Sequence, residues 1–64
     1  MKCLRITDGQ VYYIVILTPD ESGLSLHSVF RFYPGRTSGE QTSLTALPWH
    51  AKQQVCELIN EPLP

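Results

Sequence analysis

The run LSLHSVFRFY at residues 24–33 constrains the fold of this chain more than any other stretch. Apolar or small side chains recur there at every second position, at Leu24, Leu26, Ser28, Phe30 and Phe32. A period of two predicts a β-strand with one apolar face and one mixed face. We expect the apolar face to form the core. The mixed face, with cationic and aromatic side chains, is expected to indicate what the protein contacts.

A hairpin is predicted before this run. Residues 2–7 alternate in polarity and form a first strand. Asp8-Gly9 predicts a type I′ loop, because that turn needs positive φ at both central residues. Residues 10–18 are rich in β-branched and aromatic side chains and form a second strand. The turn-forming cluster at residues 19–23 is expected to end it.

A short strand and one helix are predicted after the run. Pro34-Gly35 ends the third strand, residues 36–40 are expected to form a loop, and residues 41–46 a fourth, edge strand. Pro48 suits the first turn of a helix, where no amide donor is needed. An apolar stripe at helical spacing supports that helix, formed by Ala51, Val55, Leu58 and Ile59. The predicted fold is therefore α+β: an antiparallel meander of three or four strands with one C-terminal helix packed on one face (ββββα).

Length and composition favour a small single domain, residues 1–64, that forms a homodimer. A chain of 64 residues buries only about 60% of its unfolded surface and gains from a partner. Cys3 and Cys56 can form at most one bridge, and we expect two free, half-buried thiols in a reducing compartment. No signal peptide or membrane span is visible, which favours the cytoplasm.

Metal binding and catalysis are not expected. The residues Cys3, His27, His50 and Cys56 lack the closely spaced pairs of structural zinc sites. No nucleophile-base pairing can be recognised from spacing, and no phosphate-binding loop is present. We therefore predict a non-enzymatic protein without cofactor or small-molecule substrate.

The predicted register assigns each strand residue to a face. With Asp8-Gly9 as the loop, Ile6 pairs with Val11, and we expect Leu17 to pair with Leu24. The expected core face then carries Leu4, Ile6, Val11, Tyr13, Val15, Leu17, Leu24, Leu26, Phe30 and Phe32. The expected outer face carries Cys3, Arg5, Tyr12, Ile14, Ile16, His27, Val29, Arg31 and Tyr33.

The outer face combines cations with aromatic rings. Rings stack on unpaired bases at about 1–3 kcal/mol per base, and cations follow the phosphate backbone. The net charge of −1 gives no general attraction for nucleic acid, so an ordinary solvent-facing surface is an alternative. A further alternative is that its apolar members Ile14, Ile16 and Val29 lie under a loop or a dimer partner.

A family resemblance supports the nucleic-acid hypothesis. The run Phe30-Arg31-Phe32-Tyr33-Pro34-Gly35-Arg36, then Ser43-Leu44-Thr45, Trp49 and the apolar helix positions resemble the transcriptional positive cofactor four (single-stranded DNA-binding coactivator) family. Leu4-Arg5-Ile6-Thr7 is similar to its first strand, whereas its lysine-glycine before the Ser-Leu strand is Gln41-Thr42 here. The resemblance implies a homodimer that binds single strands and regulates transcription. Arg5, Arg31 and Arg36 would contact phosphates, and Tyr12, Tyr33 and Trp49 would stack.

Two functions are therefore expected. The first is single-stranded nucleic-acid binding through Arg5, Tyr12, His27, Arg31, Tyr33 and Arg36. The second is a small protein-binding module, an inhibitor or adaptor, that uses the same exposed sheet face.

Overall fold

The computed structural model describes residues 1–21 and 23–62, and it shows an antiparallel sheet followed by a helix. The strands are β1 (Lys2–Asp8), β2 (Val11–Asp20), β3 (Gly23–Phe32) and β4 (Glu40–Thr42), in the spatial order β1-β2-β3-β4. A 3-10 helix (Leu44–Ala46) precedes the α-helix α1 (Trp49–Ile59). The predicted ββββα meander is confirmed.

The first hairpin turns one residue later than predicted. Asp8 pairs with Val11, so the loop is Gly9-Gln10. Gly9 has φ 64°, whereas Gln10 does not have positive φ, which indicates a type II′ turn with glycine at its first central position. The pairing between β1 and β2 shifts by two residues, and the faces predicted for these strands are therefore retained.

Strand β2 extends two residues into the predicted turn and ends at Asp20. Lys2, the first residue of β1, pairs with Leu17 of β2. Pro19 lies beyond this pair, so its missing N–H removes no hydrogen bond between β1 and β2, and proline is tolerated there. The predicted turn also includes Ser22, which lies outside the described residues.

A β-bulge interrupts the pairing of β2 with β3. Ile16 pairs with Ser28, but the next residue of β2, Leu17, pairs with Leu26. His27 is the extra residue on β3. A bulge of one residue reverses the side to which all following side chains of that strand point.

The faces predicted for the second half of β3 are wrong for this reason. Val29 and Arg31 lie opposite Val15 and Tyr13, on the side that the helix covers. Phe30 and Phe32, expected in the core, lie on the other side. Tyr33, just beyond the strand, lies with Arg31 and not with Arg5.

The fourth strand is shorter than predicted. It ends at Thr42, and residues 44–46 form a 3-10 turn instead of continuing the strand. The backbone N–H of Ala46 donates to the Ser43 carbonyl at 3.0 Å, which closes the turn, and the hydroxyls of Ser43 and Thr45 lie 2.8 Å apart. The turn brings Leu44 and Leu47 against the core.

The core lies between α1 and one side of the sheet, here called the helix side. Its buried side chains are Ile6, Tyr13, Val15, Leu17, Val29, Leu47, Ala51, Val55 and Ile59. The predicted helix stripe is confirmed, with Leu58 half-buried, and Cys56 is buried as well. Asn60 ends the helix in the left-handed conformation (φ 58°). No helix in the described parts of the chain is long and apolar enough to span a membrane.

Candidate interaction surface on the open side of the sheet

The sheet side opposite α1, here called the open side, carries a pair of stacked rings. Tyr12 of β2 and Phe32 of β3 are directly paired, with ring centroids 4.8 Å apart and planes 5° from parallel. Neighbouring strands are separated by about the same distance, roughly 4.8 Å. The two rings therefore stand upright on the sheet, with their flat faces directed toward the adjoining strands.

Both outer faces of this ring pair are occupied. On the β1 side, the guanidinium carbon of Arg5 lies 4.3 Å from the Tyr12 ring centroid. On the β4 side, a Cβ at Gly39 would lie 2.5, 2.6 and 2.9 Å from Cζ, Cε2 and Cε1 of Phe32. If Gly39 lay beside the edge of the ring, its Cβ would be much farther from both Cε atoms than from Cζ. The three distances are similar, so the Gly39 backbone covers the face of the ring. Arg5, Tyr12, Phe32 and Gly39 form a row that we call the ring stack.

The ring stack leaves no aromatic face free for a base. A base that displaces Arg5 from Tyr12 loses the cation–π contact, about 0.5–1 kcal/mol. A base inserted between the two rings loses their stacking, about 0.5–1.5 kcal/mol. Because stacking one base returns about 1–3 kcal/mol, either loss removes a substantial part of the gain, and base stacking at Tyr12 is weaker than on a free ring.

An apolar patch on the open side continues from the ring stack. Ile14, Ile16 and Phe30 are half-buried, and they adjoin the ring stack along β2 and β3. Arg5 is an exposed cation at the margin of this surface. An apolar surface with a polar margin is typical of a protein interaction site.

Arg31 belongs to a separate cluster at the end of β3. Its Nη2 donates a hydrogen bond to Glu40 Oε1 at 2.8 Å, and the Tyr33 hydroxyl donates to the same oxygen at 3.4 Å. The hydrogen bond with Glu40 raises the pKa of Arg31, and the same bond lowers the pKa of Glu40. Since a carboxylate neutralises this guanidinium, Arg31 is poorly placed to contact a phosphate.

The other predicted site residues lie apart from the ring stack. His27 is exposed at the bulge, where its Nδ1 lies 3.1 Å from the Ser28 hydroxyl. Arg36 is exposed in the loop after β3, and its charge contributes to the low pKa of Glu40. Trp49 is 60% exposed at the start of α1, with the Lys52 ammonium 5.9 Å from its ring centroid.

The six residues predicted to bind nucleic acid therefore do not share a face. Arg5 and Tyr12 lie together on the open side, whereas Arg31 and Tyr33 lie together on the helix side. Sequence reasoning missed three contributors to these two groups, Phe32, Gly39 and Glu40. The alternating pattern predicts Phe32 in the core, and nothing in the local sequence indicates the close approach at Gly39.

Candidate metal ligands are not gathered in this structure. Cys3 is exposed on β1 and Cys56 is buried in α1, and both are free thiols. Within residues 1–21 and 23–62, no group of three or more His, Cys, Asp or Glu side chains could hold a metal ion.

Comparisons with known proteins found no match for this chain. No family model matches the chain, and no curated protein or solved structure matches it. The function of the chain is therefore inferred from its own geometry.

Proposed function

We propose that this chain is a non-enzymatic protein-binding module that docks its partner on the open side of the sheet. The observation that carries the proposal is the closed ring stack, which offers ring edges and aliphatic groups but no free ring face. The expected partner surface is apolar with an acidic margin, because the exposed cation Arg5 lies beside the half-buried apolar side chains of the open side.

The composition of the open side agrees with this function. Tyrosine and arginine are enriched among residues that dominate protein interfaces, and Tyr12 and Arg5 are already held in place by the stack. A pre-ordered side chain loses less conformational entropy when a partner binds. Nucleic acid would need several cations near one another, whereas Arg31 is paired with Glu40 and the net charge is −1.

The homodimer and the cytoplasmic location predicted from the sequence are part of this proposal. A single helix covers one side of the sheet, and a small chain gains stability when a partner buries more apolar surface.

A capture experiment with matched variants tests the proposal. Ile14→Glu places a charge at the centre of the open side, and Gln54→Glu places the same charge on an exposed helix position. Circular dichroism confirms that both variants fold. The proposal predicts that the wild type and Gln54→Glu capture the same protein after nuclease treatment. Ile14→Glu should not capture it.

An oligonucleotide titration decides between this function and nucleic-acid binding. Fluorescence anisotropy at low and moderate salt is the measurement, because phosphate contacts are strongest at low salt. The proposal predicts no binding. Binding that Arg5→Ala abolishes would refute the proposal in favour of a nucleic-acid ligand, and a capture pattern that Ile14→Glu leaves unchanged would also refute it.

A further inference from the structure

Strand β1 forms an edge of the sheet without the usual protection against pairing. It is seven residues long, contains no proline, and pairs with β2 without a bulge. Among residues 1–21 and 23–62, no strand pairs with its outer side. The opposite edge, β4, has only three residues. A long, regular edge strand is a template for another strand unless charges, bulges or prolines block it.

The turn geometry shows which backbone groups of β1 point outward. Asp8 and Val11 close a two-residue loop, so they form a hydrogen-bonded pair of the ladder. Because such pairs alternate with non-bonded pairs, the N–H and C=O groups of Cys3, Arg5 and Thr7 point to the outer edge. Three outward residues are enough to hydrogen-bond an added strand.

The charge best placed to block this edge is directed elsewhere. Arg5 is the central residue of β1, but its guanidinium lies over the Tyr12 ring on β2, away from the edge. The remaining charges, Lys2 and Asp8, lie at the two ends of the strand and have opposite signs.

We propose that a second copy of this chain pairs its own β1 antiparallel with this edge, with Arg5 at the two-fold axis. The axis is perpendicular to the sheet, so both helices lie on the same side and two four-stranded sheets become one. Lys2 of each copy then lies opposite Asp8 of the other. Leu4 lies opposite Ile6, so the apolar layer under the helices continues across the axis.

The register follows from these pairs. All four contacts fall at non-hydrogen-bonded positions, where cross-strand side chains approach most closely. A shift of two residues in one direction places Lys2 opposite Ile6, and the reverse shift places Leu4 opposite Asp8. Both alternatives oppose a charge to an apolar side chain, whereas the proposed register pairs Leu4 with Ile6 and Lys2 with Asp8. Its one like-charged pair is Arg5 with Arg5 of the other copy, and each of these guanidinium groups is drawn away from the axis over its own Tyr12 ring.

Sedimentation equilibrium of four variants tests this interface. The wild type should dimerise from 7.2 kDa to twice that mass as its concentration rises. Lys2→Glu or Asp8→Lys alone makes both end contacts repulsive, and each should raise the dimer dissociation constant roughly five- to tenfold. The double variant Lys2→Glu/Asp8→Lys restores opposite charges and should return the constant to near the wild-type value. Thr7→Pro removes an outward N–H without breaking a β1–β2 bond and should also weaken the dimer.

Two results would overturn the proposal. One is a wild-type mass that stays at 7.2 kDa at every soluble concentration. The other is a dimer whose dissociation constant is unchanged by the single charge reversals, which would place the interface elsewhere. A protein that stays at 7.2 kDa would also remove the homodimer from the proposed function, whereas a dimer that ignores the charge reversals would leave it. Since none of these substitutions lies at Ile14, the edge pairing can fail while partner binding on the open side holds, and the reverse is also true.

Discussion

The substitution Gly39→Ala tests whether the ring stack is closed on its outer side. The new Cβ would lie 2.5 Å from Cζ of Phe32, whereas ordinary contacts begin at 3.4 Å. The ring or the loop must therefore move by about 0.9 Å. Overpacking of this kind costs about 1–3 kcal/mol.

A second effect opposes the clash. Gly39 does not have positive φ, so alanine fits its backbone conformation and reduces the entropy of the unfolded chain. That gain is about 0.4–1 kcal/mol. The expected net loss is about 1–2 kcal/mol, which lowers the midpoint of thermal unfolding by roughly 5–15 °C for a domain of this size.

A double-mutant cycle with Phe32→Ala isolates the contact. Removing the ring eliminates the clash, so Gly39→Ala should be neutral or slightly stabilising in that background. Urea unfolding of the four proteins, followed by circular dichroism, gives the coupling free energy. If Gly39→Ala were neutral or stabilising with Phe32 present, the stack would be open on that side. Base stacking on Phe32 would then be possible again.

Three further predictions concern the Arg31–Glu40 ion pair, the core and the two thiols. Glu40→Gln should destabilise the protein slightly at neutral pH. The pKa of Glu40 is lowered in the folded state, so the ion pair stabilises the fold fully above the ordinary carboxyl pKa of 4.5. As the pH falls through the lower folded pKa, this stabilisation is lost. The difference in unfolding free energy between wild type and Glu40→Gln should therefore vanish in unfolding curves at that pH. Val29→Ala should cost about 1.5–3 kcal/mol in urea unfolding, because Val29 is 1% exposed; a near-neutral result would mean that β3 has the opposite face in the core. A thiol reagent should modify Cys3 rapidly and Cys56 only upon unfolding, and equal rates would contradict the burial of Cys56.

Element types were predictable because each has a strong local signal. The helix follows from apolar side chains spaced three and four residues apart, and Ala51, Val55 and Ile59 are buried as expected. The first hairpin follows from a glycine between two alternating strands. The exact loop residues could not be predicted, because a single glycine with positive φ is compatible with a type I′ turn at Asp8-Gly9 and with a type II′ turn at Gly9-Gln10. The structure has the type II′ turn, with Gly9 at its first central position.

The sequence does not determine which face of β3 enters the core, because the neighbouring strand β2 can pair with either face of β3 turned toward the helix. Strand β2 is apolar on both sides, so pairing it with β3 in one phase or the other buries similar apolar area. In β3, Val29 competes with Phe30 for the core, and Arg31 between two phenylalanines favours the wrong choice. The structure resolves this with the bulge at His27, which leaves the adjacent residues Ser28 and Val29 both buried.

The bulge also changes what the open side can bind. Without it, Arg31 and Tyr33 would join Arg5 on one face, and that face would resemble a site for single-stranded nucleic acid. With it, Phe30 and Phe32 occupy the open side, while Arg31 is paired with Glu40 on the helix side. One extra residue thus replaces a cation and a hydroxyl-bearing ring with two phenyl rings. The surface becomes more apolar and less cationic, and this change favours a protein partner over a phosphate backbone.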